Sequence, residues 1–218
     1  MGSRTRNTSG SLAEPANKPK RLAPEVRRAQ ILDAAARMIV EQGYLPLPLE
    51  QLARNAGASK ALIYTYFPTQ YELFNALLDR ELRSLSLGGL DTASRVDDLE
   101  QAAVLCGMLY FEHVARNGPL LNILMTDMYM AGHFDSHVLE TRDVIVGRLK
   151  ALAAKELPLS EQEISAAIEM MSAIPDEAGR LVFHGEIDQT TARQICHGLI
   201  VSSLKALRAP DKVVIPPD

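Results

Sequence analysis

No run of apolar residues in this chain of 218 approaches the roughly 20 that would span a bilayer. The first 25 residues are polar and contain no apolar stretch of the kind a secretory signal needs. Neither a membrane partner nor export is indicated, so a cytoplasmic location is expected. Cysteine is scarce: Cys106 and Cys196 stand far apart with no CxxC spacing, which excludes a disulfide framework and points to buried free thiols. A myristoylation signal fails because Arg6 stands where Ser or Thr is required. No HExxH and no nucleophile elbow is present, and neither a strand pattern nor an internal repeat emerges.

What the chain does have is 47% hydrophobic and 23% charged residues, an ordinary soluble composition with enough apolar material for a substantial core in one or two domains. Its net charge of −4 is unevenly spread. Residues 1–80 carry 11 Lys/Arg against 7 Asp/Glu, whereas residues 81–218 carry 12 against 20. A basic first part joined to an acidic remainder suggests that one end meets a polyanion. Six of the eleven aromatic residues fall between Tyr44 and Phe74, which implies either a tight small core or a contact surface there.

Residues 1–22, polar and basic with few large apolar side chains, read as a disordered arm. Helical periodicity then begins. Pro24 suits a first helical position, Ile31, Leu32, Ala35, Met38 and Ile39 recur on one face, and Gly43 closes the helix. After the Leu45-Pro46-Leu47-Pro48 break, a short helix is expected from about 48 to 56. Gly57-Ala58 forms a turn and Ser59 caps a third helix that ends near Phe67. Thr69 and Glu72 have capping-box spacing, starting a helix that runs towards Leu87. Further helices are expected over about 97–116, 119–132, 135–156 and 158–185, the last kinked or broken at Pro175. A final helix covers about 188–208. The architecture is all-α with about nine helices: a unit at 23–80 and a helical domain at 81–218.

The second and third helices with the Gly57 turn between them make a helix-turn-helix. Ile63, Tyr66 and Phe67 are candidates for its buried face, while Lys60, Ala61, Tyr64 and Thr65 occupy the other. A helix of this kind fits the major groove, and residues near its N-terminus reach base edges. The run from Leu49-Glu50-Gln51-Leu52-Ala53-Arg54-Asn55-Ala56-Gly57 through Ser59-Lys60-Ala61-Leu62-Ile63-Tyr64-Thr65-Tyr66-Phe67-Pro68 resembles the DNA-binding domain of the TetR family of transcriptional regulators. Ile31-Leu32-Asp33-Ala34-Ala35 and Glu72-Leu73-Phe74 extend the likeness over about residues 25–80.

The resemblance implies a homodimer of all-α subunits, each with an N-terminal three-helix DNA-binding domain and a C-terminal ligand-binding and dimerisation domain. It places Lys60, Ala61 and Leu62 against bases or phosphates, capped by Ser59. Tyr64 and Thr65 match further DNA-facing positions, Tyr66 a phosphate-contacting one, and Ile63 the buried position of the recognition helix. Three departures stand out. Pro48 replaces the Thr or Ser that often caps the second helix. Gln70 replaces a common phosphate-binding Lys. Leu62 stands where Thr is frequent. Lys18, Lys20 and Arg21 are expected to compensate by reaching phosphates or the adjacent minor groove.

In the C-terminal part, six of eight methionines lie between Met108 and Met171. Methionine suits a cavity for varied apolar ligands, although it is also ordinary core filling. With the family's pocket in mind, Met108, Met125, Met128, Met170 and Met171 are candidate lining residues, and Tyr110, Glu112, His113, Asp127, Tyr129 and His137 candidate polar anchors. The expected effector is small and largely apolar, and no cofactor or metal is expected. Ile195, Gly198, Leu199 and Ser202 in the last helix are candidates for a dimer face. A two-fold dimer predicts a pseudo-palindromic double-stranded operator. Ligand binding is expected to shift the 119–132 helix and, through packing, the helix that begins near Thr69. The competing reading is an all-α enzyme or carrier using His113, His133 and His137; a third is a DNA binder without any ligand.

Overall fold

The computed structural model describes residues 23–209, and among them ten α-helices and one 3-10 turn account for all regular structure. None of these helices is long and apolar enough to cross a membrane. α1 (Pro24–Gln42) opens with proline at its first position and closes on Gly43 at φ 76°, the left-handed cap that glycine adopts without steric cost. α2 (Leu49–Asn55) and α3 (Lys60–Tyr66) are short, and each needs tertiary packing to persist. The Ser59 side chain caps α3 by accepting from the Leu62 N–H, and Thr69 caps α4 (Gln70–Leu87) by accepting from the Glu72 N–H.

After the two-residue α4 exit at Gly88-Gly89 comes α5 (Leu90–Ala93), one turn too short to show periodicity in the sequence. α6 (Leu99–Asn117), α8 (Ser136–Glu156), α9 (Glu161–Phe183) and α10 (Gln189–Arg208) build the larger part. The capping box expected of good helix starts appears at Ser160 and Glu163, at the head of α9.

Two expectations are corrected here. The segment 119–132 is not one helix: α7 (Leu120–Thr126) stops at Asp127, and a 3-10 turn follows at Met128–Met130. Asp127 spends its carboxylate on two backbone donors, the N–H of Tyr129 at 2.9 Å and the N–H of Leu45 at 2.8 Å, which turns the chain out of the helix. Of the kink or break expected at Pro175, the break does not occur: α9 runs from Glu161 to Phe183 around it. The proline ring is buried, and one turn later Gly179 meets α6 so closely that a Cβ there would lie 2.6 Å from Cβ of Val114. Packing of that closeness holds the helix across the missing backbone bond.

The core falls into connected clusters. The first contains Ile31, Ala35 and Ile39 of α1, Leu52 of α2, Ile63 of α3 and Phe74 and Leu77 of α4. The same cluster takes in Leu120 and Leu124 of α7, Met130 and Val138. A boundary drawn at residue 80 therefore falls inside α4, a helix that serves both parts of the chain. The second cluster joins Phe111 of α6, Leu152 of α8, Ile164 of α9 and Cys196, Ile200 and Leu204 of α10. A third joins Leu85 at the far end of α4 to Leu90, Cys106 and Ile145.

Asn75, buried in α4, ties the two parts together. Its amide donates to the carbonyl of His133 at 2.8 Å, and its carbonyl oxygen accepts from the N–H of Asp135 at 3.0 Å. Tyr71, one turn earlier, stacks on the His133 ring at 3.8 Å between centroids and on Tyr129 at 4.8 Å. Truncating Asn75 strands two backbone groups at this joint. Asn75→Ala is expected to lower unfolding stability by roughly 1–3 kcal/mol in urea titration, and Asn75→Asp, which sets a buried carboxylate against the His133 carbonyl, by at least as much.

Candidate functional site

The recognition helix is shaped by what its neighbours bury. Ile63 is fully inside the first cluster and Phe67 closes the helix beneath it, which turns the opposite face outwards. Burying a side chain the size of Ile63 supplies about 1.5–3 kcal/mol, enough to orient a seven-residue helix that would not form alone. Lys60, Ala61, Tyr64 and Thr65 are exposed; Tyr64 shows 51% of its surface to solvent. Leu62 and Tyr66 are half-buried, Tyr66 against the first cluster.

The turn before α3 is held by α1. The Arg27 guanidinium donates to the Gly57 carbonyl at 3.1 Å and the Ala56 carbonyl at 3.4 Å, and Gly57 itself sits at φ 57°. The Arg28 guanidinium lies 5.2 Å from the centre of the Phe67 ring, a cation–π contact at the other end of the helix. Lys60 pairs with Glu50 of α2, and the ammonium holds the Glu50 carboxyl below its usual range. Both side chains are largely exposed, so the pair costs little to open in favour of a phosphate. Thr65 donates its hydroxyl back to the Ala61 carbonyl at 2.9 Å, which leaves its oxygen and methyl group facing out.

Gln70, which cannot supply the charge of a lysine, has another task. It accepts from the Leu47 N–H at 2.9 Å and donates to the Leu47 carbonyl at 3.1 Å, pinning the loop that leads into α2. Pro48 at the head of α2 makes no side-chain cap. The sequence did not reveal these two clamps on the 45–47 loop, from Asp127 and Gln70, because each joins positions far apart in the chain. Lys18, Lys20 and Arg21 lie outside the described residues.

A second site lies among α6, α8, α9 and α10: an apolar cavity of about 220 Å³. Leu99, Ala103, Cys106 and Tyr110 line it from α6, Ile145, Leu149 and Ala153 from α8, Ile164, Ile168, Met171 and Pro175 from α9, and Ile200 and Leu204 from α10. Burial pushes the Cys106 thiol up to about 11, so it stays neutral. Tyr110 donates to Asp176 at 2.7 Å. Burial, and then the facing carboxylate, raises the Tyr110 pKa; burial also raises that of Asp176.

Of the residues singled out from the sequence for this pocket, Tyr110 and Met171 line it. Met108 packs in the second cluster, and Met125 packs against the first. Met128 and Met170 are 84% and 69% exposed. Tyr129 belongs to the Tyr71 stack. Glu112 faces α10, accepting from Gln189 and pairing with Arg193 at 2.7 Å. His113 is buried against Glu81 of α4 at 3.0 Å, and His137 is exposed beside Asp79 at 3.7 Å. With His133 stacked on Tyr71, the three histidines do not converge, and no group of His, Cys, Asp or Glu among the described residues is placed to hold a metal. On α10, Ile195 and Leu199 are each 50% exposed, and Gly198 and Ser202 share that open face.

α1 to α4 form a helix-turn-helix with the outer face of α3 turned to solvent, and known proteins share this arrangement. Residues 31–77 match the family model described as bacterial regulatory proteins, tetR family. Over these residues the chain is thus similar to the DNA-binding domain of TetR-family regulators. It is similar to the HTH-type transcriptional activator FasR of Mycolicibacterium smegmatis, 33% identical over 96 residues that cover 43% of this chain and 44% of the relative. The chain spans about half the length of the curated relatives it matches. Its fold as a whole is similar to a TetR-like transcriptional regulator from Rhodococcus sp. RHA1, with a TM-score of 0.63 at 22% identity over 85% of this chain and 99% of the other. It is also similar to the regulator FadR of Bacillus subtilis in complex with stearoyl-CoA, with a TM-score of 0.60 at 18% identity over 80% and 98%.

Within this TetR family domain, Lys60 and Tyr64 are the exposed side chains with the longest reach from α3. Lys60→Ala is expected to weaken binding to duplex DNA and to reduce the slope of log affinity against log salt by about 0.9. Tyr64→Ala is expected to weaken binding about tenfold. Because both residues are exposed, neither change should move the melting temperature by more than a degree or two. Fluorescence anisotropy on labelled DNA at several salt concentrations, alongside thermal melts, measures both effects.

Proposed function

We propose that the chain is a ligand-responsive transcriptional repressor of the cytoplasm, that it binds a pseudo-palindromic operator as a homodimer, and that a small, largely apolar effector releases it. The observation that carries this reading is the joint presence of an exposed recognition face and an apolar cavity, connected by one helix. α4 begins in the first cluster beside the helix-turn-helix and ends with Leu85 packed in the cluster that contains Leu90, Cys106 and Ile145 of the cavity wall. Between those ends it carries Asn75 on the 133–135 backbone and Glu81 on His113 of α6.

An occupant of the cavity that pushes on α6 or α8 therefore pushes on α4 through packed side chains. α7 moves with it, since Leu120 and Leu124 share the first cluster. A coupling of about 1–3 kcal/mol between effector and operator would change DNA affinity roughly 5–150-fold. One relative is named a transcriptional activator and another a nucleoid occlusion factor, and the dispersed histidines give no catalytic grouping among the described residues to set against a regulatory role.

Support for the dimer comes from α9 and α10. Ile195 and Leu199 are one turn apart on open surface, Gly198 between them has nothing within 4 Å of where a Cβ would be, and Met170 of α9 is also exposed. An apolar stripe with a glycine at its centre suits close, two-fold packing of helix on helix. Lys20 and Arg21 ahead of α1 would add phosphate contacts. Leu199→Glu is expected to convert a dimer to a monomer in sedimentation equilibrium, with loss of high-affinity binding to a two-half-site duplex. A wild-type chain that sediments as a monomer, or a variant that remains a dimer, contradicts this face.

A further inference from the structure

The polar groups around the cavity are few, and both hydroxyl protons in the lining are already committed; the Cys106 thiol adds only a weak donor. The Tyr110 hydroxyl donates to Asp176 at 2.7 Å, so what it can offer a ligand is a lone pair, made more basic by the acceptor behind it. Ser172, the other hydroxyl in the lining, donates to the Glu169 carbonyl at 2.7 Å and likewise keeps only lone pairs. Pro175 has no N–H, so the carbonyl of Met171, one turn earlier in the lining, lacks its helical donor. No Lys, Arg, His, Asn or Gln is among the described lining residues. The cavity is thus an apolar space whose oxygen atoms act as acceptors, with the weakly donating Cys106 thiol beside them.

Building on the effector reading above, we propose that this cavity selects a small apolar molecule that carries a hydrogen-bond donor, a hydroxyl or an amine, and no anionic group. An acceptor-only ligand, such as an ether, would set lone pair against lone pair. A carboxylate would in addition be desolvated near Asp176 with no Lys, Arg or His in the lining to offset the cost. The size agrees with a compact ligand: a cavity of about 150 Å³ admits benzene, and 220 Å³ admits a ring with a short chain. A coenzyme A thioester, with its phosphates, does not meet these conditions.

Three probes of one shape test this on the full-length protein at neutral pH by isothermal titration: 4-butylphenol, 4-butylanisole and 4-butylbenzoate. The phenol is expected to bind at least tenfold more tightly than either of the others. The paired variant Tyr110→Phe/Asp176→Leu, which removes the acceptor and its partner together, is expected to bring phenol and anisole within about threefold of each other. If anisole or benzoate binds as tightly as the phenol to the wild type, the donor rule is overturned while the cavity stands as an effector site. A tenfold preference that persists in the paired variant also overturns it. If none of the three binds, the effector-cavity reading fails and the donor rule falls with it.

Discussion

Two hydrogen bonds from the Asn75 side chain hold the backbone of residues 133–135 against α4, and much of the molecule's behaviour depends on that grip. A buried amide with both its donor and acceptor engaged cannot slide without leaving unpaired groups inside the protein. The stack of His133, Tyr71 and Tyr129 covers it, and Asp127 extends it to the Leu45 N–H. α3 is therefore positioned partly by the C-terminal helices of the chain. The proposed coupling of effector to operator would run through this joint, which favours discrete arrangements over a soft hinge.

The same logic explains why short helices suffice. α2 and α3 have seven residues each, and their angle is set by Arg27 on the turn carbonyls, Gln70 on Leu47 and Ile63 in the core. Where the sequence departs from the common pattern of the family, the structure shows what replaces it. Gln70 gives up a charge and gains a two-point hold on the loop before α2. On the proposed reading, the remaining positive groups near the surface, Arg54 and Lys60 among them, would then carry more of the attraction to phosphate.

The helix-turn-helix was legible in the sequence because its signals are local. Ser59 and Thr69 cap, Gly43 and Gly57 take left-handed turns, and the spacing around Ile63 separates an inner face from an outer one. The all-α architecture followed from the same kind of signal. The cavity was not legible in this way. Its walls are Leu149, Ile164, Ile168 and Leu204, residues indistinguishable in sequence from core, and they become a wall only when α6, α8, α9 and α10 meet. Methionine content drew attention to Met125 and Met128, yet one packs on the first cluster and the other faces solvent. The break at Asp127 and the continuity of α9 through Pro175 both came from contacts distant in the chain.

The claim beneath the rest is that the outward face of α3 reads duplex DNA and does so in pairs. Selection of bound sequences from a random double-stranded pool by the full-length protein examines it directly. The account predicts enrichment of an inverted repeat whose half-sites are centred about one helical turn apart, roughly 34–36 Å. A pool that stays unenriched at low ionic strength, or that converges on a single unrepeated element, would contradict it.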